Sequence, residues 1–420
     1  MESINNEVEE KALLIGLDLN ASGSDISLNE LKGLAETAGA VVVDVMVQRR
    51  SKPDSRYFFG RGKLYQVAER CQQQGVSLVI CDQELTPSQQ RNVEEIIGVK
   101  VIDRTQLILD IFAQRAQTKE GKLQVELAQL NYMLPRLIGR GTELSRLGGG
   151  IGTRGPGETK LEVDRRRIRQ RITDLKRELA LVKKHRALHR KNRQAVPFPL
   201  VSLVGYTNAG KSTLLNTLTG SDVLVEDKLF ATLDPTTRRV VLPTNETILL
   251  TDTVGFIQNL PHHLVAAFRA TLEEVVEADL LLHVVDASHP NYRCQIQAVE
   301  KVLTSLGVEQ KSTILVLNKI DVNNDNQLMF GDINHSYYVK SVNISAKNKY
   351  GLDDLLKAIS EALSAGRTTT KIFVPFNKSF VIQMLHHHGQ VLHQEYQPDG
   401  VELEVEMERV WIERILAKLT

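Results

Sequence analysis

The stretch PLVSLVGYTNAGKSTLLNTLTG, Pro199 to Gly220, decides the fold. An apolar run of strand length leads into Gly205-Tyr206-Thr207-Asn208-Ala209-Gly210-Lys211-Ser212, which fits G-x-x-x-x-G-K-[ST], and an amphipathic helix follows from Ser212. Strand, glycine-rich turn and helix in that order form a phosphate cradle. The glycines let backbone N–H groups approach phosphate oxygens at a helix N-terminus, Lys211 reaches the β- and γ-phosphates, and the Ser212 hydroxyl, with Thr213 beside it, faces a magnesium ion. The pattern predicts a β-α-β sheet around this turn, so the central fold class is α/β.

Downstream, the strand STILVLN ends in Asn318-Lys319-Ile320-Asp321. A carboxylate at Asp321 can accept both the N1–H and the exocyclic amine of guanine, a pair of donors that adenine lacks. Ser345-Ala346-Lys347 supplies a backbone contact for the base carbonyl, so the nucleotide expected is GTP or GDP. Between these motifs Asp252-Thr253-Val254-Gly255 ends the strand ETILLT. Asp252 is expected to hold magnesium through water, and the Gly255 N–H to sense the γ-phosphate. The loop Phe230-Ala231-Thr232-Leu233-Asp234 places a threonine hydroxyl where it can close over the metal when GTP is bound. Thr232, Thr236 and Thr237 all compete for that role.

The rest of the chain is organised around this centre. Residues 12 to 103 alternate β-branched runs with amphipathic stretches, predicting an N-terminal parallel α/β domain over 1–104. Leu123, Leu127, Leu130 and Leu134 keep heptad spacing in a helical stretch from Thr105 that Pro135 is expected to close. The same seam resumes at Ile168, Ile172, Leu175, Leu179 and Val182. Burying one seam against the other makes an antiparallel helical hairpin over 105–194, whose tip is the glycine-rich loop RLIGRGTELSRLGGGIGTRGPGET. So many glycines with so little apolar surface predict a tip that does not order by itself. Ala195 to Pro199 marks the next boundary. The central domain spans 195–366, and a small α+β appendage 367–420.

Formal net charge over the 420 residues is only +1, but Lys160 to Arg193 holds 14 Lys or Arg against four Asp or Glu. That helix therefore carries about +10, a surface for polyanions. Hydrophobic residues are 42% and charged residues 25% of the chain, with no apolar run long enough for a bilayer. The N-terminus is acidic where a secretory signal would be basic. A cytoplasmic protein is expected, with no integral membrane segment; a membrane-associated fraction stays open. Cys71, Cys81 and Cys294 lack metal-ligand spacing and are read as reduced thiols packed in their elements. Gly60-Arg61-Gly62-Lys63 lacks the spacing of a second phosphate loop and is read as a turn or an RNA contact. His386-His387-His388 cannot all share one helix face, so no metal is expected there.

DTVGFIQNLPHHLVAAFRATLEE, LFATLDPTTR and LSRLGGGIGTRGPGETKLEVDRRRIR together resemble HflX-type GTPases, over roughly residues 10 to 365. The resemblance selects Thr232 as the metal-closing hydroxyl. It also implies binding to the large ribosomal subunit and its rRNA, with ribosome-stimulated hydrolysis that splits or rescues stalled or idle ribosomes under stress. Candidate RNA contacts are Arg146, Gly148, Gly149, Gly150 and Arg154 in the loop and Arg165, Arg166 and Arg167 on the basic helix. Phe256 replaces the glutamine that orients water in many small G proteins, so slow intrinsic turnover is expected until a partner completes the site. Asn208 matches relatives that use a potassium ion, so K⁺ joins Mg²⁺ as a candidate cofactor. DNA is not an expected partner, and a monomer is the default. A switch for a protein or membrane partner, and an RNA-modification or assembly factor, remain the competing readings.

Overall fold

The computed structural model describes residues 10–19, 24–137, 160–193, 198–220, 229–258, 272–322, 337–364 and 367–408, with 412, 415, 416 and 419. The chain divides into two units. The first comprises residues 1–182 with 226–234 and 254–271, the second 183–225, 235–253 and 272–420.

In the first unit β1 (Glu10–Asp18), β2 (Ala40–Arg49), β3 (Leu78–Cys81) and β4 (Lys100–Asp103) form a parallel sheet in the order β2-β1-β3-β4. β1 is buried from Ala12 to Leu17 on both faces, as a central parallel strand must be. Its helices are α1 (Ser24–Thr37), α2 (Arg61–Gln74) and α3 (Pro87–Ile97). Local chemistry fixes α3: Thr86 and Gln89 make a reciprocal capping box, Pro87 opens the helix, and Gly98 closes it at φ +79°. Gly60 precedes the first turn of α2 and donates its N–H to Gln48 Oε1 at 2.8 Å. Cys71 and Cys81 are buried here, whereas Cys294, in the second unit, is exposed rather than packed.

The helical stretch expected to run unbroken from Thr105 is two helices, α4 (Arg104–Arg115) and α5 (Lys119–Arg136). The backbone leaves the helix at Ala116, and Thr118 caps α5 by accepting the Gly121 N–H at 3.0 Å. Pro135 does not end α5 but sits inside its last turn. The next long helix is α6 (Lys160–Arg193). Leu123 of α5 packs with Leu175 and Leu179 of α6, flanked by Leu127 and Leu130, so the two seams meet as the hairpin requires. Arg171 adds paired hydrogen bonds to Glu126, both 2.7 Å. The loop between these helices lies outside the described residues, and with it Arg146, Gly148, Gly149, Gly150 and Arg154.

The second unit holds a six-stranded sheet, ordered β10-β9-β8-β5-β7-β6. Its strands are β5 (Leu200–Gly205), β6 (Thr236–Val241), β7 (Thr247–Asp252), β8 (Leu280–Asp286), β9 (Thr313–Asn318) and β10 (Lys340–Asn343). All neighbours are parallel except β6, which runs antiparallel to β7 with Thr236 opposite Asp252. The helices are α7 (Lys211–Thr219), α8 (Glu273–Glu277), α9 (Tyr292–Ser305) and α10 (Leu352–Ser364). Val201, Leu203, Leu250, Leu282, Val284 and Val316 form the middle of its core. Parallel strands aim their carboxyl ends at one rim, where open α/β sheets bind ligands.

The C-terminal strands β11 (Arg367–Pro375), β12 (Gly389–Gln397) and β13 (Gly400–Glu408) pair antiparallel, with β13 in the centre. Val401, Leu403, Val405 and Met407 of β13 face a core that includes Val381 and Leu385 of α11 (Phe380–His388). Glu402, Glu404 and Glu406 alternate with them and are half-exposed on the other face.

Candidate active site

The turn after β5 is built around two glycines that accept no side chain. A Cβ on Gly205 (φ +153°) would lie 2.2 Å from the Val284 carbonyl oxygen, and one on Gly210 (φ +90°) 2.3 Å from Asn318 Nδ2. Asn208 stands exposed at the crest with φ +61°. Tyr206, Thr207 and Ala209 are buried, and the Thr207 hydroxyl is a buried oxygen with no hydrogen-bond partner. A buried polar atom left over in such a cradle fits a phosphate ligand.

Lys211 opens α7 and is 6% exposed. Its ammonium donates to the carbonyls of Gly205 at 3.1 Å and Tyr206 at 2.8 Å. Burial lowers its pKa to about 8, against the opposing pull of Asp252. The charge of Lys211 adds to burial in holding the His283 imidazole neutral, with a pKa of about 3. Beside it the Ser212 hydroxyl donates to Asp252 Oδ2 at 2.6 Å. A hydroxyl and a buried carboxylate at this spacing are hard oxygen donors of the kind Mg²⁺ takes. Thr213 follows in the first turn, where its carbonyl accepts from Thr217 Oγ1. Thr253 is locked by a 2.6 Å bond from its hydroxyl to the Leu203 carbonyl.

The N-K-x-D motif joins the same rim through Asn318. Its Nδ2 donates to the Ala209 carbonyl at 2.9 Å, and its Oδ1 accepts the Ala346 N–H at 3.0 Å. One buried amide thus links the phosphate loop to the Ser345-Ala346-Lys347 turn, itself closed by a Ser345–Tyr350 bridge. Lys319, at φ +63°, pairs with Asp286 Oδ2 at 2.7 Å. Ile320 donates to the Ile344 carbonyl at 3.4 Å, and Asp321 and Lys347 are exposed beyond it. Asp286 escaped the sequence reading. Its signal was present, since it is the last residue of an apolar strand on the ligand rim.

Phe230, Ala231 and Thr232, like Val254, Gly255 and Phe256, belong to the first unit. Phe230 and Phe256 are each 2% exposed. Of the candidate RNA contacts on α6, Arg166 and Arg167 are exposed and Arg165 half-buried.

A sheet rim that cradles phosphate, pairs a hydroxyl with a carboxylate and ends a strand in N-K-x-D defines a P-loop GTPase. Family models agree along the chain: the GTP-binding GTPase N-terminal region matches 25–113, its middle region 115–193, and a family described as 50S ribosome-binding GTPase 200–319. Curated relatives named GTPase HflX include that of Caldanaerobacter subterraneus, 50% identical over 95% of this chain and 91% of the relative. That of Escherichia coli is 47% identical over 84% of this chain and 83% of the relative. Among solved structures, a GTP-binding protein from Sulfolobus solfataricus in complex with GDP is 26% identical at a TM-score of 0.45, covering 85% of this chain and 99% of that one. The chain belongs to the HflX family of GTPases, and hydrolyses GTP.

Proposed function

We propose that this GTPase binds the large ribosomal subunit through its helical hairpin and separates or rescues stalled or idle ribosomes, its hydrolysis being stimulated there. The observation that carries this reading is α6. Its apolar seam is spent on α5, which leaves Arg166, Arg167 and Arg169 exposed on a helix of net +10. Basic helices bind RNA by releasing counterions, and a glycine-rich loop such as Gly148-Gly149-Gly150 follows an irregular RNA surface without side-chain bulk. The family model described as 50S ribosome-binding supports the same partner. No helix among the described residues is long and apolar enough to cross a membrane.

In this reading the nucleotide lies along the rim, with Lys211 on the β- and γ-phosphates and Asp321 on guanine. Ser212 and Thr232 would hold magnesium, Asp252 would do so through water, and the Gly255 N–H would sense the γ-phosphate. When bound, magnesium would supply charge neutralisation at the phosphates; the protein's part is to orient them and exclude water. The Phe256 ring offers no hydrogen bond to an attacking water, which supports a requirement for a partner that completes the site. Asn208 is the residue we assign to a potassium ion; equal turnover in KCl and NaCl would remove that assignment.

GTP turnover with and without purified 50S subunits is the decisive measurement. We expect stimulation of at least about tenfold, lost when Gly148 to Gly150 become alanine while GDP affinity holds. Unstimulated turnover together with no co-sedimentation on mature 50S subunits would refute the proposal; preference for precursor subunits would indicate an assembly factor instead.

A further inference from the structure

The described stretch of the loop that carries Thr232 is held at Phe230 by α4 and at Asp234 by the start of α5. At its upstream end the Phe230 ring meets Phe112 of α4 edge-on, with centroids 4.7 Å apart and planes at 72°. At its downstream end the Asp234 carboxylate sits on the first turn of α5. Oδ2 accepts the backbone N–H groups of Gln117 and Thr118, both at 2.9 Å, and Oδ1 accepts the Thr118 hydroxyl at 2.5 Å. Thr118 in turn accepts the Gly121 N–H, so one hydroxyl joins the loop to the helix.

Gly121 bears independently on this contact. Glycine inside a helix costs stability relative to alanine, yet here a Cβ would lie 2.6 Å from Asp234 Oδ1. A side chain at this position would force the Asp234 carboxylate to shift from its place on Thr118. Leu233, next to Asp234, is also buried at 2% exposure. Ala231 and Thr232 lie between these points.

We propose that Asp234, gripped by Thr118 and facing Gly121, is a positioning residue for GTP hydrolysis, fixing the stretch of loop that carries Thr232. A loop pinned at both ends has less conformational freedom to lose when it closes. Its grip is also on α5, the root of the hairpin, so the hairpin and the metal-closing hydroxyl share a fixed point. This rests on the assignment of Thr232 to magnesium made above, and not on any ribosomal partner.

The test uses the full chain without ribosomes. Magnesium-dependent affinity for a non-hydrolysable GTP analogue, affinity for GDP, and single-turnover hydrolysis are measured for Gly121→Ala, Thr118→Val, Thr118→Ser and Thr232→Ala. Gly121→Ala raises helix propensity while displacing the carboxylate from its present position, so a fold defect is not the expected failure. Gly121→Ala and Thr118→Val should weaken the analogue and slow hydrolysis about five- to tenfold, with GDP affinity unchanged, and Thr118→Ser should restore both. Unchanged values, an equal loss for analogue and GDP, or a gain in analogue affinity would each overturn the proposal. If Thr232→Ala weakens the analogue while Gly121→Ala does not, only the anchor fails; if Thr232→Ala changes nothing, the assignment of Thr232 itself is wrong.

Discussion

The phosphate loop and the switch loop are both short, glycine- or threonine-bearing turns of one GTPase, yet they are held in opposite ways. The phosphate loop is braced by its own sheet. Gly205 is pressed against β8, Lys211 is tied to two carbonyls of the loop, and Asn318 clips Ala209 to Ala346. The switch loop takes its bonds from α4 and α5. In the proposed reading, the parts that would bind features common to GDP and GTP are preformed, whereas the loop that would tell the two apart is held by α4 and the start of α5. Changes in the first region are expected to move GDP and GTP together, and changes in the second to separate them.

The largest test of that contrast is Lys211→Ala. Losing a charge-assisted bond to phosphate should weaken GDP and GTP alike by about two orders of magnitude, measured by titration with a fluorescent nucleotide. A loss confined to GTP would break the comparison. Asn318→Ala comes next. It leaves the Ala346 N–H and the Ala209 carbonyl without their shared partner, at about 1–3 kcal/mol, read as a lower urea midpoint together with weaker binding of both nucleotides.

The smallest effect is on pH. With a pKa of about 8 in the free protein, Lys211 loses its proton above pH 8, while bound phosphates hold it protonated. Binding then takes up a proton, and affinity for either nucleotide should fall about tenfold between pH 7 and pH 9. The linked stability has the opposite sign. Between the folded value of about 8 and the ordinary 10.5 the unfolded chain binds more protons, so this group makes the nucleotide-free fold more stable as pH rises. Lys211→Met should flatten both profiles, and an unaltered profile would show that another group is responsible.

The phosphate loop and the N-K-x-D turn were legible because each is a local word with its geometry written in neighbouring residues. Positive φ falls on Gly205 and Gly210, and a buried strand ends at Asn318. The leucine seam was legible for the same reason, since helical spacing is a local property. The break at Ala116 was not. Thr118 lies 116 residues from Asp234, and no periodicity announces a carboxylate arriving from so far along the chain. Gly121 was a hint in hindsight, because an isolated helix glycine asks for a close neighbour. Cys294 shows the converse limit, as a thiol with a core-forming composition that the fold leaves on the surface.

The column of Glu402, Glu404 and Glu406 on β13 has an electrostatic consequence. Three carboxylates on one strand disfavour a polyphosphate backbone there, tempered by Lys371 of β11 and His393 of β12 opposite Glu404, whereas the arginine-rich α6 would favour one. Rising salt would weaken both effects together.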